Sequence, residues 1–212
     1  MCFWLAQGVH ATDVAGDLVF LAVEADAYFC LVGGGQYLSL RPDGGVEASP
    51  AAAANDLVQA GLLDHKPSAP RRRAPRAARA LPRLAASPTL VLAARALGAN
   101  LRASRAIAGR PFGALLDLAG ACSDEAFAPP SPALVDHSSR FDQIAPWLPR
   151  DGVCLMRSLQ QRLYLSGLGH SAAWVFGVRT WPFEAHCWLQ VGDMVLDDTV
   201  EHVCGFSPIM VV

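Results

Sequence analysis

Residues 153 to 198 read VCLMRSLQQRLYLSGLGHSAAWVFGVRTWPFEAHCWLQVGDMVLDD, and the fold and the chemistry of the chain both turn on them. After an Asp151-Gly152 turn, Leu155, Leu159 and Leu163 recur at i, i+4 and i+8, and Gly167 and Gly169 close the run. This spacing predicts a helix from about Cys154 to Ser166. Cys154 then sits in the first turn, where unpaired backbone N–H groups and the positive end of the helix dipole favour a thiolate. The same N–H groups suit the oxyanion of a tetrahedral intermediate.

Downstream, Ala172 to Val178 and Phe183 to Val191 read as two strands joined by the turn Arg179-Thr180-Trp181-Pro182. Period two puts His186, Trp188 and Gln190 on one face of the second strand and Cys187, Leu189 and Val191 on the other. Cys187 therefore points away from His186 and is a poor nucleophile. His186 is placed to take the Cys154 proton and return it to a leaving amine. For the third member, a two-residue hairpin at Gly192-Asp193 sets Asp197 opposite Trp188, on the face of His186. A bulge or fraying at the strand end brings Asp198 round instead.

Working outward, Asp17 to Val23 and Ala27 to Val32 form a hairpin of β-rich runs, with a further strand near Gly8 to Thr12. Gln36 to Leu40 reads as a short helix, and Ser49-Pro50 caps another that Gly61 ends. Lys66 to Arg83, rich in Pro, Ala and Arg, reads as a solvated linker. Three helices follow, from Ser87-Pro88 to about Ala108 with Leu90, Leu97 and Leu101 at helical spacing, from Phe112 to Ala121, and from Ser131-Pro132 to Trp147. The expected class is α+β, with a first domain at 1–65, the linker at 66–83 and a second domain at 84–212.

The motifs CLMRSL, GVRTWPF, AHCWLQVGD and VLDD, in this order over the last 60 or so residues, resemble the C-terminal domain of lasso-peptide maturation B proteins. Those are leader peptidases of the transglutaminase-like, papain-like class, with a helical lobe and a C-terminal antiparallel sheet. The resemblance implies Cys154 as nucleophile, His186 as base and Asp198 as the residue that orients His186, with Asp197 the alternative. Asp197 stands where Asn is frequent in that family. Three strands and about three helices in the first 65 residues resemble a PqqD-like winged-helix unit, which binds the leader of a precursor peptide. A free strand edge next to a helix suits an extended peptide. Tyr28, Phe29, Cys30 and Leu31 on the strand and Asn55 and Val58 on the helix are the candidate leader contacts. The implied partners are the precursor leader and an asparagine-synthetase-like cyclase, which uses the nucleotide and closes the ring on the freed amine.

Composition narrows the alternatives. The 212 residues are 52% hydrophobic and 17% charged with a net charge of −2, which gives no electrostatic reason to expect nucleic acid. A winged-helix DNA binder needs a basic recognition helix, and Ala51 to Gln59 holds no Arg or Lys. No run approaches the roughly 20 apolar residues of a membrane span, and no signal peptide is read, so the expected location is the cytoplasm. Six cysteines without C-x-x-C pairs read as free thiols, with Cys30, Cys122 and Cys204 as small buried hydrophobes. No metal is expected, because no short segment supplies two ligands. No cofactor is expected either, since Gly33-Gly34-Gly35 lacks the lysine of a phosphate loop. Two competing readings share these residues: an acyl transferase in which an amine replaces water, and a peptide-binding chaperone without catalysis.

Overall fold

The computed structural model describes residues 2–68, 71–82, 87–149 and 154–212. The expected Asp151-Gly152 turn, the 83/84 domain boundary and part of the basic run lie outside the described residues. The chain divides into two units, one of residues 1–73, 177–185 and 207–211, the other of 74–176, 186–206 and 212.

The first unit begins with β1 (Cys2–Leu5), β2 (Val9–Val14), β3 (Asp17–Ala22) and β4 (Ala27–Leu31). Ala15 and Gly16 both hold positive φ between β2 and β3, the turn whose twist matches the flanking strands. A 3-10 turn at Gly34–Gln36 leads into β5 (Leu38–Leu40) and then β6 (Gly45–Ala48). A 3-10 turn at Ala51–Ala54 continues into α1 (Asn55–Gln59), and Gly61, with φ +71°, ends it before β7 (Leu63–Asp64). Two sheets result, ordered β5-β6-β1-β7 and β2-β3-β4. They share a core of Phe3, Leu5, Val9, Leu18, Phe20, Leu38 and Val46, against which Leu57 and Val58 pack.

This unit is richer in strand than the winged-helix reading of three strands and three helices. The part expected as a helix at Gln36 to Leu40 is largely β5, and α1 is the one α-helix among the described residues of 1–73. The reason is visible in the pattern, because Leu38 and Leu40 alternate with Ser39 at period two, and β5 pairs with β6. The described residues of the expected linker also make fixed contacts. Arg71 Nε and Nη2 donate to the Val9 carbonyl at 3.1 and 2.6 Å, and Nη2 also donates to the Ala6 carbonyl at 3.1 Å.

In the second unit, β8 (Arg79–Ala80) precedes α2 (Leu90–Ile107), α3 (Phe112–Ala119) and α4 (Pro132–Ile144). α5 (Cys154–Ser166) follows, then β9 (Ala173–Arg179) and β10 (Glu184–Val191), each with one end in the first unit, then β11 (Met194–Val195) and α6 (Val200–Val203), whereas β12 (Ser207–Val211) belongs to the first unit. Thr89 Oγ1 accepts from Leu92 N at 3.3 Å, so the cap of α2 is Thr89 and the helix begins two residues beyond the expected Ser87-Pro88. The sheet order is β12-β9-β10-β11-β8, and β8 runs parallel to β11, which makes the sheet mixed rather than purely antiparallel.

α5 is the axis of the helical lobe. Met156 and every residue from Ser158 to Leu165 are buried, and α2, α3 and α4 all contact it. The face of α2 turned inward is not the leucine face. Ala96, Ala99, Asn100, Ala103 and Ala106 are buried, whereas Leu90, Leu97 and Leu101 are exposed. Small side chains let two helix backbones approach closely, and here that proximity decides which stripe is covered. Arg162, also buried, satisfies carbonyls at the end of α3, donating to Ala119 and Gly120, and reaches the Val212 carbonyl at 2.5 Å.

Candidate active site

The short length of β11 shapes the site. It pairs with β10 only at Gln190↔Val195 and Val191↔Met194, so the N–H groups farther back along that edge of β10 need other acceptors. The Leu189 N–H donates to Asp197 Oδ1 at 2.8 Å, and the Cys187 N–H donates to the Cys154 sulfur. A strand that continued would have occupied both donors.

Cys154, the first described residue of α5, is half-buried. Hydrogen bonds from the Cys187 thiol and from His186, helped by the Cys187 N–H, bring its pKa from 9.0 down to about 4 against the opposing effect of burial. Cys187 is affected in the reverse sense: its bond to the Cys154 sulfur and its own burial hold it as a thiol. Cys187 is thus a poor nucleophile, as its place on the strand implies, yet it lies against the Cys154 sulfur. Period two does turn its side chain into the interior, but Cys154 at the start of α5 reaches that same side.

His186 Nε2 lies 2.6 Å from Asp198 Oδ2, which leaves Nδ1 as the ring nitrogen for Cys154. Burial depresses the imidazolium, yet the bonds to Cys154 and Asp198 carry its pKa above the ordinary 6.5. Burial would raise the Asp198 pKa, but bonds from His202, the Thr199 N–H and His186 hold it below the usual range. Asp197 does not face His186. β11 ends at Val195, the strict register ends with it, and Asp197 turns inward to accept from Ser158 Oγ at 2.5 Å and from the Leu189 N–H. Complete burial lifts its pKa to about 6.

A family comparison matches residues 97–211, more than half of the chain, to the transglutaminase-like superfamily. The chain belongs to the transglutaminase-like superfamily. No curated protein and no solved structure matches it. Members of this superfamily generally carry a Cys-His-Asp set, and Cys154, His186 and Asp198 are the residues that the fold brings together in that pattern here.

The sequence reading missed His202. Its Nδ1 lies 2.9 Å from Asp198 Oδ2, and its ring centroid is 4.6 Å from that of His186. The signal was present as an acid and a histidine four residues apart, the spacing of one helical turn. His186, Asp198 and His202 place ligand atoms within 4.8 Å of one another, and among the described residues they are the group whose donor set suits a cation.

The candidate leader contacts lie in the first unit and separate into two places. β4 is an outer strand of its sheet, with Phe29 and Leu31 exposed. Tyr28 and Cys30 line a cavity of about 180 Å³ together with Val32, Thr180, Trp181 and Phe183. Trp181 Nε1 donates to Asp17 Oδ2 at 2.7 Å, and the Tyr28 and Phe183 rings lie 5.6 Å apart. Asn55 is exposed and Val58 packs on the Phe3 core, so α1 does not wall that cavity. Cys30 and Cys204 are exposed, not the small buried residues expected, while Cys122 is buried.

Proposed function

We propose that this transglutaminase-like chain is a cysteine peptidase that removes the leader from a ribosomally made precursor of the lasso type, working in the cytoplasm. The observation that carries this reading is the geometry of the three residues: His186 is hydrogen-bonded to the Cys154 sulfur on one side and lies 2.6 Å from Asp198 Oδ2 on the other, an arrangement that favours the thiolate–imidazolium pair. The thiolate attacks the carbonyl at the leader–core junction, and the His186 imidazolium protonates the departing core amine. Water, deprotonated by His186, then cleaves the acyl-thioester and releases the leader. An asparagine-synthetase-like cyclase takes the freed α-amine for ring closure, and the peptidase step itself needs no cofactor. A chaperone has no use for an ionised thiol, which argues against the non-catalytic reading. The open edge of β4 supports leader recognition by strand addition in a PqqD-like manner, with the Tyr28–Trp181 cavity taking a side chain.

The test incubates the full-length protein with the peptide encoded by the short reading frame nearest its gene and reads product masses. Two fragments that sum to the precursor plus one water support the peptidase. An amide-linked adduct assigns the protein to acyl transfer instead, and an intact peptide rejects both.

A further inference from the structure

We propose that His202 is a positioning residue of this site, a fourth member that fixes the Asp198 carboxylate so that its Oδ2 faces His186. The inference rests on the peptidase reading for its kinetic consequence, though not for its geometry. Asp198 Oδ1 accepts the Thr199 N–H at 2.7 Å, whereas Oδ2 receives both His186 Nε2 at 2.6 Å and His202 Nδ1 at 2.9 Å. An ionised carboxylate only accepts, so Nδ1 of His202 carries the proton.

The local chain is built to deliver that donor. Thr199 caps α6 by accepting the His202 N–H at 3.2 Å, which winds one turn after Asp198 and brings residue 202 back over it. The ring is then wedged edge-to-face against Phe206 at 5.4 Å, and Phe206 also packs on His186 at 5.1 Å.

Because the backbone N–H holds only Oδ1, loss of His202 leaves Oδ2 with a single partner and lets the carboxylate swing. His186 then loses orientation and the thiolate–imidazolium pair weakens. A residue that orients the group orienting the base contributes less than the acid itself, so the expected loss is roughly tenfold, at the low end for supporting hydrogen bonds around reactive groups. His202 is substantially exposed, so its replacement is not expected to endanger the fold.

The experiment uses full-length, chelator-treated protein, with alkylation read on the peptide that carries Cys154 so that the other thiols do not contribute. Two readouts are taken, the pH profile of Cys154 alkylation by iodoacetamide, which needs no substrate, and kcat and KM for precursor cleavage. His202→Ala is expected to shift the acid limb of alkylation upward and to lower kcat about tenfold with KM unchanged. His202→Asn, whose Nδ2–H falls near the Nδ1 position, is expected to restore both to within about twofold, and His202→Gln is not. An unchanged alkylation profile in His202→Ala, or failure of His202→Asn to restore it, overturns the proposal. A parent protein that is alkylated normally but cleaves no precursor rejects the peptidase reading alone, and the alkylation profiles still decide the role of His202.

Discussion

Asp197 and Asp198 are adjacent in the chain and face opposite environments. Asp198 is ionised and holds His186 at its Nε2, whereas the buried Asp197 accepts from Ser158 Oγ and the Leu189 N–H, with its pKa raised to about 6. A single strand end separates an orienting acid from an interior strut.

Substitutions at the two positions should therefore part company. Asp198→Ala is expected to lower kcat/KM by on the order of a hundredfold or more. Asp197→Asn keeps every bond, because its amide oxygen takes the Leu189 N–H and its nitrogen donates to Ser158 Oγ. It should retain most activity. Comparable losses in the two variants would refute the division of roles.

Asp197 also sets a pH dependence of stability. Its folded pKa of about 6 lies above the ordinary carboxyl value of 3.8, so the folded form binds the extra proton between those values. The stabilisation is present below the unfolded pKa and is lost as pH rises through about 6. Asp197→Asn is expected to remove this loss, so its Tm should exceed that of the parent by a margin that grows between about pH 4 and pH 6 and levels off above. Thermal melts at pH 5 and pH 8 measure the difference.

The Cys154–His186 pair predicts the activity profile. The thiolate forms above about pH 4, and the imidazolium persists until pH passes a His186 value raised above 6.5. Alkylation of Cys154 should rise through the lower limit and stay high, whereas kcat/KM, which also needs the imidazolium as acid, should be bell-shaped between the two limits. Cys154→Ala should abolish cleavage. Cys187→Ala removes a donor to the sulfur and should move the acid limb upward, while Cys187→Ser, which keeps a donor, should move it less.

Arg162 offers a test of the helical lobe away from the chemistry. Its guanidinium serves the carbonyls of Ala119, Gly120 and Val212 from a buried position, and burial lowers its pKa to about 10. Arg162→Ala strands those acceptors and opens a cavity, at a cost of about 3 kcal/mol or more. Denaturant unfolding gives the number.

The parts of the fold set by local rules were legible. α5 spans Cys154–Ser166 as the leucine spacing and the closing glycines require, and β9, β10 and the Gly192 turn fall within a residue or so of their expected places. What long-range packing decides was not. Leucines in α2 look like core until a neighbouring helix selects the alanine stripe. Strict pairing favoured Asp197 because nothing in the residues 194 to 198 says that the strand stops after two. His202 carried a one-turn spacing from an acid, but only the fold shows that both rings meet one oxygen. β12, near the end of the chain, has no counterpart in the periodicity reading because its short run is specified by the strands that receive it.

β12 also fixes an order of events. It packs against β2 and β3 in a unit whose other parts come mostly from residues 1–73. A ribosome makes the receiving strands well before Ser207–Val211. The first unit consequently cannot close during synthesis of residues 1–73 alone, and its native packing waits until residues 207–211 have also emerged.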